Sequence, residues 1–71
     1  MISILPKRAS ECERFAGTET DPFRRKAFLL LRDMWMALDR TIGTMRPQEL
    51  ATEIAAIEQI QRHFQRINGE P

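Results

Sequence analysis

The segment from Asp21 to Ile42 constrains the fold most strongly, because it contains most of the large apolar side chains and its own helix start signal. Asp21 is placed to accept a hydrogen bond from a free amide of the first helical turn. Pro22 fits the first helical position, because the N–H that proline lacks would be unpaired there. The sequence therefore predicts a helix over residues 22–42.

A helical projection of this segment, at about 100° per residue, shows a wide apolar arc. The arc covers roughly 180°, whereas a surface helix needs a stripe of little more than about 100° against its neighbours. Its residues are Phe23, Ala27, Leu30, Leu31, Met34, Leu38 and Ile42, with Phe28, Trp35 and Ala37 at the borders. One neighbouring helix cannot cover this arc, so the pattern predicts a homodimer. The candidate oligomer face is Phe28, Leu31 and Trp35.

The opposite side of the same helix carries two apolar residues among arginines. The candidate partner surface consists of Arg25, Leu29, Arg32, Met36 and Arg40. Because single exposed apolar residues are common, a plain solvated face is the alternative interpretation. The basic run Arg24-Arg25-Lys26 leaves a third possibility, weak nucleic-acid binding by an accessory protein. The formal net charge of +1 makes nucleic acid an unfavoured partner.

A short amphipathic helix is predicted before this segment, over residues 6–16. Gly17 is expected to end it in the left-handed conformation. Its apolar stripe consists of Leu5, Ala9, Cys12 and Ala16, with Phe15 at the edge.

A third helix is predicted over residues 47–67, because Pro47 suits the first helical position. Gly43 is expected to stop the preceding helix. The apolar stripe of the third helix is Leu50, Ile54, Ile57, Ile60, Phe64 and Ile67.

The predicted fold is all-α. Two long helices form an antiparallel hairpin, a short N-terminal helix precedes them, and dimerisation completes a bundle. The chain of 71 residues forms a single small domain, and a domain of that size buries only about 60% of the surface that its unfolded chain exposes. The predicted core is Leu30, Leu31, Met34, Leu38, Ile54, Ile57 and Phe64.

The sequence offers little material for chemistry. Cys12 is the only cysteine and His63 the only histidine, so a zinc site would have to form between chains. Glu49 and Glu53, one turn apart, are the nearest approach to a catalytic pair, but acids near a helix start are favoured by the helix dipole. No phosphate loop, dinucleotide fingerprint or nucleophile elbow occurs. We therefore expect no catalysis, no cofactor and no metal.

The chain has no apolar run that approaches the roughly 20 residues of a membrane span. The stretch from Met1 to Pro6 is too short for the apolar core of a secretory signal. The expected location is the cytoplasm, without membrane contact.

About the first half of the chain carries a recognisable pattern, which consists of Arg8-Ala9-Ser10-Glu11-Cys12-Glu13-Arg14-Phe15-Ala16, Asp21-Pro22, Arg25, Phe28-Leu29-Leu30-Leu31, Trp35 and Leu38. This pattern resembles that of a group of short uncharacterised alphaproteobacterial proteins. Phe15 departs from the group pattern, which has leucine there. The resemblance implies a helical hairpin with no assigned activity.

Overall fold

The computed structural model describes residues 4–69, with side chains described for residues 4–65. The described chain is all-helical, with three α-helices and no strand. Helix α1 is Ile4–Thr18, α2 is Pro22–Thr41 and α3 is Pro47–Gly69. A single 3-10 turn, Ile42–Thr44, follows α2. The sequence thus predicts the number and order of the helices, and α1 extends two residues beyond both predicted ends.

Side-chain caps fix the start of each long helix. The Asp21 carboxylate accepts a hydrogen bond from the Arg24 amide at 2.9 Å, as the sequence predicts. Before α3, the Glu49 carboxylate accepts a hydrogen bond from the Arg46 amide at 3.0 Å. This bond gives Glu49 a structural role at the helix start and explains why an acid is placed there.

The left-handed conformation predicted at Gly17 is wrong, whereas α2 ends at Thr41, close to the stop predicted at Gly43. No glycine among the described residues has a positive φ angle. Helix α1 continues through Gly17 to Thr18, whose hydroxyl donates to the Phe15 carbonyl at 3.2 Å. Gly43 lies inside the 3-10 turn, where a tighter backbone helix takes the place of a left-handed residue.

The core lies where α1 packs closely against α2, and side chains of α3 complete it. Phe28 and Trp35, placed by the sequence at the borders of the apolar arc, are fully buried at 0% exposure. Leu30 and Met34, predicted to be core, are instead 57% and 39% exposed. The buried apolar residues are Leu5, Ala9, Cys12, Ala16, Phe28, Leu31, Trp35, Leu38 and Ile57.

The rotation of α2 about its own axis explains which of its apolar residues are buried. The close packing of α1 turns the Phe28 and Trp35 side of α2 inward, and it turns Phe23 and Leu30 outward. Of the remaining predicted core residues, Ile54 and Phe64 are half-buried against the core. The predicted stripe position Ile67 lies outside the described side chains.

The candidate oligomer face is therefore wrong as predicted. Phe28, Leu31 and Trp35 are at most 2% exposed within a single chain, so no second chain can reach them. The apolar surface left over on α2 lies elsewhere, at Phe23, Leu30 and Met34.

Two adjacent leucines test this orientation of α2. Leu31→Ala should lower the free energy of unfolding by about 2–5 kcal/mol, because it leaves a cavity in the core. Leu30→Ala should cost roughly 1 kcal/mol or less, because Leu30 faces solvent. Chemical denaturation followed by circular dichroism, at low protein concentration, measures both. Equal losses for the two variants would show that the orientation is wrong.

Candidate functional site

The candidate partner surface of the sequence does not form one open surface. Leu29 and Met36 are half-buried and pack against the core. The Arg32 guanidinium contacts Asp33 at 3.0 Å and Glu13 of α1 at 3.3 Å. Helix α1 thus lies beside this side of α2, where its Glu13 contacts Arg32.

Two further arginines of that surface differ in their surroundings. The Arg25 side chain donates two hydrogen bonds to the Glu19 carbonyl, at 2.9 and 3.2 Å. These bonds join the first turn of α2 to the segment that connects α1 and α2. Arg40 is exposed near the end of α2. Arg25, Arg32 and Arg40 therefore do not converge on a common ligand.

The main apolar surface is a groove between α2 and α3, of about 290 Å³, which we call the α2–α3 groove. Four of its apolar side chains are exposed: Phe23 at 75%, Leu30 at 57%, Ile60 at 42% and Met34 at 39%. At Met34 the groove meets a second depression, which reaches Thr41 at the end of α2 and Met45 after the 3-10 turn. The α2–α3 groove is lined by Phe23, Lys26, Ala27, Leu30, Leu31, Met34, Ile60 and Phe64.

This groove uses residues that the sequence had assigned to other roles. Phe23, Leu30 and Met34 belong to the predicted apolar arc, and Ile60 belongs to the predicted stripe of α3. The width of the arc correctly indicated more apolar surface than one neighbour covers. Periodicity could not show which half of the arc would be buried, because both halves have helical spacing.

A buried polar junction joins the three helices beside the groove. The Gln61 side-chain oxygen accepts hydrogen bonds from the Trp35 indole N–H at 2.9 Å and from the Cys12 thiol at 3.2 Å. Gln61 is 4% exposed, and the two donors are fully buried. The junction satisfies the indole N–H, which can only donate.

Sequence reasoning missed Gln61. The one available signal was the single tryptophan, because a buried indole N–H usually needs an acceptor nearby. That signal does not say which polar residue supplies the acceptor, since the partner lies 26 positions along the chain.

An ion pair adds a second connection between α1 and α3. The Arg8 guanidinium contacts the Glu58 carboxylate at 2.6 Å, and the two side chains are 32% and 25% exposed. A partly exposed pair of this kind typically contributes up to about 1 kcal/mol.

The Cys12 thiol lies in surroundings that suppress its reactivity. Burial, the largest influence on this thiol, raises the pKa of Cys12 to about 11. The thiolate is the nucleophilic form of cysteine, and only a small fraction of a thiol with a raised pKa is in that form near neutral pH. Cys12 acts as a core residue.

The other residues considered for chemistry stay apart. The exposed His63 ring lies 6.1 Å from the Phe64 ring, and Glu53 lines the second depression. Between residues 4 and 69, no three His, Cys, Asp or Glu side chains come together in a way that could hold a metal ion. Over the same residues, none of the helices combines the length and the apolar character needed to span a membrane.

Comparisons with protein-family models, with curated proteins and with solved structures find no match for this chain. The resemblance to the alphaproteobacterial group stays a prediction.

The junction predicts a specific loss of stability on removal of the acceptor. Gln61→Met keeps the side-chain volume but leaves the Trp35 and Cys12 donors without a partner. We expect the free energy of unfolding to fall by about 1–3 kcal/mol. Gln59→Met, on the exposed side of α3, is the matched control and should change little. Equal stability of the two variants in urea titrations would contradict a role for the junction.

Cysteine labelling tests the burial of α1. At pH 8, a thiol with a pKa of about 11 has a thiolate fraction roughly two orders of magnitude below that of an ordinary cysteine. Labelling of the native protein by a disulfide reagent should be slower by at least that factor than labelling of the denatured protein. Absorbance at the wavelength of the released thiolate follows both reactions. Comparable rates would show that Cys12 is accessible in the native fold.

Proposed function

We propose that this chain is a non-catalytic protein-interaction or small regulatory module that associates through the α2–α3 groove, most simply as a two-fold dimer. The observation that carries this proposal is the contiguous exposure of Phe23, Leu30 and Ile60 on one side of the molecule. Contiguous apolar patches on small proteins commonly mark interaction sites. The groove replaces the oligomer face and the partner surface expected from the sequence.

The energetic argument follows from the size of the chain. Burying a Phe, Leu or Ile side chain that was exposed contributes about 1.5–3 kcal/mol. A two-fold interface buries the groove of both subunits, and each of its side chains contributes the part of this energy that corresponds to its exposed fraction. A small domain with little core has much to gain from this burial.

In this proposal, α2 and α3 form an antiparallel hairpin, whose two helices offer the groove to a partner helix. Two contacts support the antiparallel direction. The Phe28 ring lies 6.2 Å from the Phe64 ring, and Trp35 bonds Gln61, so positions that advance on α2 meet positions that recede on α3.

A groove of this shape suits the apolar side of an amphipathic helix. The nucleic-acid alternative has less support. Arg25 of the basic run donates to the Glu19 carbonyl, and Lys26 lines the apolar groove. The run therefore does not form a separate basic surface. A nucleic-acid complex would also weaken steeply with added salt, whereas groove binding through apolar contacts would not.

Sedimentation velocity over a micromolar concentration range tests the proposal. We expect concentration-dependent dimerisation of the wild type and its loss in the variant Phe23→Ser with Leu30→Ser, at unchanged helix content. Ile42→Ser is the matched control, because Ile42 is 44% exposed but lies outside the groove. It should dimerise like the wild type.

Two results would count against the proposal. Dimers that persist in the groove variant would place the interface elsewhere. A wild type that stays monomeric, and that captures from its own cell the same proteins as the groove variant, would contradict an interaction role for the groove.

A further inference from the structure

The outward side of α2 carries a second apolar stripe with the spacing of a coiled-coil seam. Its residues recur at alternating intervals of four and three, and those of large size are well exposed, with Phe23 at 75%, Leu30 at 57% and Met34 at 39%. Alternating intervals of this kind keep one stripe facing a partner helix along its whole length. The seam consists of Phe23, Ala27, Leu30, Met34, Ala37 and Thr41.

We infer that the occupant of the groove is α2 of a second copy of this chain, antiparallel to the first, with Lys26 of each subunit facing Asp33 of the other. This inference rests on the proposed function and adds to it the partner, the direction and the register. It is argued from charge and from side-chain size along the seam.

The charges beside the seam distinguish the possible registers. Helix α3 covers one flank, where Leu31 and Leu38 are buried. The open flank carries Lys26, Asp33 and Arg40 at intervals of seven residues. In an antiparallel pair about a two-fold axis, the open flanks of both helices lie on the same side and face each other. The register of these three charges therefore decides between attraction and repulsion.

Complete overlap of the two seams is disfavoured on this flank. It would place Asp33 opposite Asp33 of the second copy, and Lys26 opposite Arg40, so that every facing pair has like charges. It would also set Ala27 against Ala37, two small residues that leave a gap between the helices.

A shift by one heptad gives opposite charges and better packing together. Lys26 then faces Asp33 twice. Phe23 then packs against Met34, and Ala27 packs against Leu30, so every layer contains at least one large side chain and no two alanines face each other.

The opposite shift pairs Asp33 with Arg40. It leaves Phe23, the most exposed apolar residue of the groove, beyond the contact. Of the three registers, only the first shift places opposite charges face to face and also brings Phe23 into the contact.

Within a single chain, the Asp33 carboxylate keeps one oxygen that can accept from Lys26 of a second copy. The two hydrogen bonds from Arg32 both end on Oδ1 of Asp33, at 3.0 and 3.1 Å. A carboxylate has a second oxygen that can accept. Lys26 already lies at the rim of the groove.

A charge-exchange cycle tests the register. Lys26→Asp and Asp33→Lys should each raise the dissociation constant of the dimer roughly tenfold at low salt, because each creates two like-charge contacts. The double variant, which exchanges the two charges, should return the constant to within about twofold of the wild type. Sedimentation equilibrium measures each constant, and circular dichroism checks that helix content is unchanged. The effect should shrink with added salt.

Arg40→Asp is the matched control, because in this register Arg40 faces no charge of the second copy. Strengthening by Lys26→Asp would indicate complete overlap, and weakening by Arg40→Asp would indicate the opposite shift. Either result overturns the inferred register.

The outcomes also separate this inference from the proposed function. Dimers that depend on Phe23 and Leu30 but show no coupling between positions 26 and 33 overturn the register and leave the interaction function intact. A wild type that never self-associates overturns the second copy as occupant. The interaction function then stands only if the groove variant loses a different captured protein.

Discussion

The burial of Trp35, with its indole N–H satisfied by Gln61, is the constraint on which the arrangement of the helices depends. A buried tryptophan contributes a large apolar area to the core, and its N–H needs an acceptor. In this chain α3 supplies the acceptor, and α1 contributes Cys12, which donates to the same oxygen. Because Phe28, one heptad earlier, is also fully buried, the orientation of α2 about its axis is fixed at two points.

That orientation determines what the molecule leaves exposed. Helix α2 has apolar residues around more than half of its circumference, and α1 and α3 together cover only the side with Phe28 and Trp35. The opposite edge of the arc, from Phe23 to Met34, has no further element of the described chain to cover it. The exposed groove is thus a direct consequence of the burial of Phe28 and Trp35 in the core. The interaction proposed for this chain follows from that geometry.

The charged residues follow the same division. Arg8, Arg25 and Arg32 hold the three helices and their connections together, through Glu58, the Glu19 carbonyl and the carboxylates of Glu13 and Asp33. Three of the eleven basic residues thus contact groups of the fold itself, and two of them, Arg25 and Arg32, belong to the arginine-rich side of α2. Lys26 and Asp33 lie beside the exposed seam, where charge influences the direction and register of a partner.

The sequence by itself determined the helices, because their signals are local: Asp21 and Pro22 at the start of α2, Pro47 at the start of α3, and apolar residues at helical spacing in all three. It also determined that α2 has more apolar surface than its neighbours cover. Only the tertiary structure decided which residues are buried. Leu30 and Met34, predicted to be core, are exposed, and Phe28 and Trp35 are fully buried. The physical reason is that helical spacing specifies a stripe but not its partner. The inward side depends on the close packing of α1 and on the hydrogen bond from Trp35 to Gln61, and both are contacts between distant positions.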